Sequence, residues 1–150
     1  MKDARTRRPA ALVAGLLVAS FLSGCGGGGG YCNAVQDHQS DLGSLAHGNQ
    51  RTALLQALPI FEDLQGKAPD DVADDWQLLV TRIRALETAL THAGVDPATY
   101  DATHPPAGLS SEDRALIRRA AAELAASDTQ QAFATVQQEV RDVCHTPLDL

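Results

Sequence analysis

Between Val72 and Leu90, large apolar residues recur at Val72, Trp76, Leu79, Ile83, Leu86 and Leu90, in alternating steps of four and three. A helix brings such positions onto one face, whereas a strand would scatter them over both. Arg82, Arg84 and Glu87 lie off that seam, so the stretch reads as an amphipathic helix whose stripe must pack against other helices. Pro69, Asp70 and Asp71 precede it, an acidic start that suits the positive end of the helix dipole. Gly94 is placed to end it as a glycine just past the last turn does.

The rest of the chain keeps the same period. From Cys32 to about His47, the positions Cys32, Val35, Leu42, Leu45 and Ala46 fall on one side at helical spacing. Gly48 and Asn49 interrupt, and Asn49 can cap a helix to about Leu64 with Leu54, Leu55, Leu58, Phe61 and Leu64 inward. Pro59 must either kink that helix or restart it, because it removes a donor and crowds the preceding turn. Residues 94–109 form one long Pro/Gly-rich connection. Ser110 then caps a helix with Asp113 at its third position and Leu116, Ile117, Ala120, Ala121 and Leu124 as its apolar face. A break at Ser127-Asp128 opens a last helix, in which Phe133, Val136, Val140 and Val143 step toward Cys144 and Pro147 stops the run. No segment alternates at strand period and no internal repeat occurs. The expected fold is all-α, a bundle of four or five helices.

The first 24 residues have another character. Lys2, Arg5, Arg7 and Arg8 face one acid, Asp3, and an apolar stretch runs from Ala10 to Leu22. A basic start and a short apolar core are the parts of an export signal, and about a dozen residues fall short of the roughly 20 that span a bilayer. The stretch ends in Leu22-Ser23-Gly24-Cys25. In this it resembles the bacterial lipoproteins, whose leader closes with an aliphatic residue, two small residues and an obligatory cysteine. The resemblance implies that residues 1–24 are a cleaved signal peptide and that Cys25 becomes the lipidated first residue. It further implies a site on the extracytoplasmic face of the cell membrane, where two acyl chains hold stably and one holds only marginally. Gly26 to Gly30 are then expected to be a flexible tether, leaving residues 31–150 as the helical domain.

Without the leader, 8 basic residues stand against 18 acidic ones, a net charge of −10. Such a domain repels nucleic acid and gains nothing from the charge of an anionic membrane, so attachment falls to the lipid anchor. With Cys25 lipidated, Cys32 and Cys144 remain, one at each end of the domain. Outside the membrane an even pair is normally oxidised, which predicts a Cys32–Cys144 disulfide tying the first helix to the last.

Chemistry is harder to find. Asp37, His38 and Asp41 lie within one helical turn and are the weak candidates for a metal site, since carboxylates four residues apart flank an imidazole. Asp70, Asp71, Asp74 and Asp75 gather carboxylates, but as the polar side of a helix start. His145 falls at a helix end, and His104 sits in the Pro-rich loop with no evident partner. Neither an H-E-x-x-H pair nor a G-x-S-x-G elbow occurs, and the chain implies no cofactor and no catalytic residue. The mature part carries Tyr31-Cys32-Asn33-Ala34-Val35, Leu58-Pro59-Ile60-Phe61, Ala68-Pro69-Asp70-Asp71 and Asp142-Val143-Cys144. In these it is similar to small lipoproteins of actinomycetes that have no assigned activity, which implies fold and location only. The expectation is a non-catalytic, membrane-anchored binding or interaction module at the cell surface, which binds a protein or a small ligand or spaces something near the membrane. Its contact surface is expected at residues 94–109, unless that loop merely crosses the bundle end. The alternative is a small-ligand or metal-binding carrier or enzyme with a pocket between helices, which Trp76 and His38 lining one cleft would favour.

Overall fold

The computed structural model describes residues 28–148. The expected leader, Cys25 and the first two tether glycines, Gly26 and Gly27, lie outside them. The helices are α1 (Gly28–His47), α2 (Gln50–Gln56), α3 (Leu58–Gln65), α4 (Ala73–His92), α5 (Ser111–Leu124) and α6 (Ser127–Cys144), and no strand occurs among the described residues. Because α2 and α3 are one helix interrupted at Ala57, the bundle has five arms, the upper of the two expected numbers.

Pro59 restarts the helix. Asn49 caps α2, its side-chain oxygen accepting the Arg51 N–H at 3.1 Å. Ala57 keeps helical angles, donates to the Ala53 carbonyl at 2.9 Å and accepts from Phe61 N–H at 3.0 Å. Pro59 therefore sits at the second position of α3, where a helix loses nothing by a missing donor. At the far end of α4, Gly94 adopts φ +64°, its N–H reaching Thr91 O at 3.0 Å while Val95 N–H reaches Leu90 O at 3.2 Å. That paired closure is the Schellman motif, and it turns the chain out of α4.

The tether expectation needs correction. Helix α1 begins at Gly28, so Gly28, Gly29 and Gly30 are helical and not part of a free linker. Tyr31, Ala34 and Val35 are buried immediately after them, and that packing secures a first turn which glycine alone, at about 1 kcal/mol per residue worse than alanine, would not hold.

Helix α4 is the axis of the fold and packs against α2, α3, α5 and α6. Trp76, Leu79, Ile83 and Leu90 are buried on it, as is Val72 just before it. Val80 is buried as well, because a helix with neighbours on several sides buries more than one narrow seam. Trp76 is fully enclosed, edge-on to Tyr31 and Phe61 with ring centroids 6.5 and 5.4 Å away. Its Nε1–H donates to the Tyr31 hydroxyl at 2.8 Å, so the one polar atom of the indole is satisfied in the core. Cys32 of α1 is bonded to Cys144 of α6 as expected, with 5.1 Å between their Cα atoms.

The expected apolar faces of α5 and α6 were too wide. Ile117 and Ala120 are buried, but Leu116 is 40% exposed and Ala121 is exposed. Helix α5 lies at the margin of the bundle, chiefly against α4, and so covers only a narrow stripe. Val143 is 48% exposed because the last turn of α6 is drawn to α1 through Cys144 and not through its neighbour. The break before α6 also falls earlier than Ser127-Asp128, with Ala126 extended as the capping residue.

Candidate functional site

Asp37, His38 and Asp41 do not assemble. Asp37 and Asp41 are exposed, while the His38 ring turns to α3, its Nε2 lying 3.0 Å from Asp63 Oδ2. Asp63 also pairs with Lys67, and the hydrogen bonds from Lys67 and then His38 hold its carboxyl below the usual carboxylate range. Among the described residues no three of His, Cys, Asp and Glu come together in a group that could hold a metal ion. His38 is thus a tie between α1 and α3. Nor does Trp76 meet His38 in a cleft: the indole is in the core and donates to Tyr31.

Helix packing makes a different grouping that the sequence did not reveal. Burial pushes the Tyr31 phenol up to about 12, against the opposing effect of the hydrogen bond from Trp76, and the charges of Glu139 and Asp71 add to the rise. The Glu139 carboxyl is raised too, by partial burial first and then by Asp71 and Asp142. These residues come from α1, α4's approach and α6, far apart in sequence, so no local motif announces them.

The 94–109 connection is tightly organised. Asp96 accepts from the Ala98 N–H at 2.9 Å, and Asp101 accepts from the Thr103 N–H at 2.8 Å and its hydroxyl at 2.6 Å. Both are Asx turns, the local bonding that aspartate offers a loop. His104, expected without a partner, lies within 3.2 Å of Asp101 Oδ2 and 2.9 Å of Thr103 Oγ1. The Thr103 bonds, and after them His104, lower the Asp101 carboxyl to about 2. Within the loop Leu109 is buried, and Val95 and Tyr100 pack beside Leu90 and Ile117 in a second small apolar cluster. The loop therefore crosses the end of the α4–α5 pair and closes it.

Two clefts flank that pair. One, of about 540 Å³, lies between α4 and α5 over Ala85, Ala89 and Leu116, with Arg84, Arg119 and His92 among its lining residues. The other, of about 740 Å³, is lined from α2, α4, α5 and the loop; Leu55, Leu86, Leu90 and Ile117 contribute apolar surface, and Arg51 and Arg118 are its basic residues. Neither is lined by Trp76 or His38. Both volumes fall within the range of small-molecule sites, and the second is the larger and the more varied in its lining.

Comparison of the chain with protein-family models, with curated proteins and with solved structures gave no match. Function is accordingly read from the residues and the geometry of these helices.

Proposed function

We propose that this chain is a lipid-anchored, extracytoplasmic binding module without catalytic activity, held at the cell membrane through Cys25. The observation that carries the reading is the division of labour among three cysteines. Cys32 and Cys144 are bonded to each other, a pairing that belongs to oxidising compartments, and Cys25 is left over at the end of Leu22-Ser23-Gly24. No helix among the described residues is long and apolar enough to cross a membrane. A net charge of −10 outside the leader supports the same view, since charge would not keep the domain at an anionic surface. The non-catalytic part of the reading rests on how the carboxylates and imidazoles are engaged, in ties such as His38–Asp63 and in loop turns such as Asp101–Thr103.

Membrane fractionation of cells fed labelled palmitate tests the anchor. The native chain is expected to carry label and sediment with membranes, while Cys25→Ala loses both. An unlabelled, soluble native chain would overturn the anchor. The binding role is tested separately, by crosslinking the anchored protein in its own membrane and comparing captured proteins with those from Cys25→Ala.

A further inference from the structure

Outside the leader the chain has eight basic residues, and most are engaged. Arg82 pairs with Glu123 and approaches Asp128, Arg84 pairs with Glu62, and Lys67 pairs with Asp63. Arg114 donates to the Ser110 carbonyl and Arg141 to the Gln138 side chain. Arg51, Arg118 and Arg119 have no side-chain partner among the described residues, and Arg51 and Arg118 line the same 740 Å³ groove. In a domain with more than two acids for every base, two unspent guanidiniums beside one apolar surface are not explained by the fold.

The groove lies on the outer side of the second apolar cluster. Leu90 and Ile117 are buried beneath it, and Leu55, Leu86 and Tyr100 are half-buried, leaving apolar surface open to water. Its one acid is Asp101, which stays ionised and is hydrogen-bonded to Thr103 and His104 but forms no ion pair with either arginine, so the lining carries two positive groups against one negative. The residues come from three helices and from the loop that seals their end, so the shape is built by the tertiary fold.

We propose that this groove binds an amphipathic anion, an apolar chain or ring carrying a carboxylate or phosphate head. Arg51 and Arg118 take the head, for which the guanidinium fork is suited, and Leu55, Leu86 and Tyr100 take the apolar body. The volume accommodates a body of drug-like or short-lipid size. This rests on the reading of the domain as a binding module and is independent of the anchor.

The two requirements of the site, charge and apolar contact, are separable with one chain length. Residues 25–150 carrying Cys25→Ser and the oxidised Cys32–Cys144 bridge are titrated by calorimetry with dodecanoate, dodecyl phosphate, dodecyl maltoside and dodecyltrimethylammonium, each below its micelle concentration. One or both anions are expected to bind, and the neutral and cationic chains at least tenfold more weakly. Arg51→Gln and Arg118→Gln are each expected to weaken anion binding by roughly tenfold or more, the scale of a charge-assisted hydrogen bond. Arg119→Gln, which lines the other cleft, leaves binding unchanged, and thermal melts verify that all three variants fold. Comparing the two anions identifies the head group. Failure of both anions to bind, equal binding of the neutral chain, or indifference to both arginine substitutions would overturn the proposal. None of those outcomes bears on palmitate labelling or on proteins captured at the membrane, so the anchored-module reading stands or falls separately.

Discussion

Tyr31 is the residue on which the core's polar balance turns. It accepts the indole N–H of Trp76 at 2.8 Å and is itself fully buried. Burial raises its phenol from 10.0 to about 12, so the folded state prefers the neutral form and the unfolded chain ionises first. The stability owed to that preference is whole below pH 10 and is lost as the pH climbs from 10 through about 12. Alkaline unfolding monitored by Trp76 fluorescence should show a loss within that window, accompanied by the appearance of a tyrosinate absorbance. Tyr31→Phe should lack this Tyr31 step. It should also begin about 1–3 kcal/mol less stable, because the Trp76 N–H is left buried without an acceptor. None of this was legible from the sequence. Tyr31 stands next to Cys32 and reads as an ordinary flank, and its partner lies 45 residues away.

At the scale of elements, the sequence was most informative where backbone chemistry is local. Asn49, Gly94 and Ser110 mark helix ends in the structure as they do in the chain, since capping needs only neighbouring residues. Ser110 even reciprocates with Asp113, accepting its N–H at 3.0 Å and donating its hydroxyl to the carboxylate at 2.6 Å. What period alone could not supply was which apolar positions find a neighbour. Leu116 and Val143 match their seams and stay exposed, whereas Val80 lies beside its seam and is buried. The same limit hid the groove, whose arginines lie on α2 and α5 with no sequence relation to each other. The closing of α4 gives a clean test. A Cβ at Gly94 would meet nothing within 4 Å, so Gly94→Ala loses stability through backbone strain at φ +64° alone. A loss of about 1 kcal/mol is expected in urea unfolding, and Gly94→Asn, which tolerates the left-handed region, should lose less.

Across the whole molecule, the Cys32–Cys144 bond spans 112 residues of sequence and encloses nearly all of the core. Closing so long a loop is worth about 4–5 kcal/mol in the chain-entropy account. Cys32→Ser with Cys144→Ser should therefore lower the urea midpoint markedly, and reductant should do the same to the native chain but not to the double variant. The bond also decides how the domain bears load. Its two ends are clamped 5.1 Å apart, so tension applied between the chain's termini passes through one covalent link and bypasses every helix except the first turn of α1. Pulled at its termini, the oxidised chain would keep about 370 Å of contour length locked away, the reach of the 112 residue steps it encloses. Once the bond is reduced, only the packing of the helices would hold that length back from a pulling force.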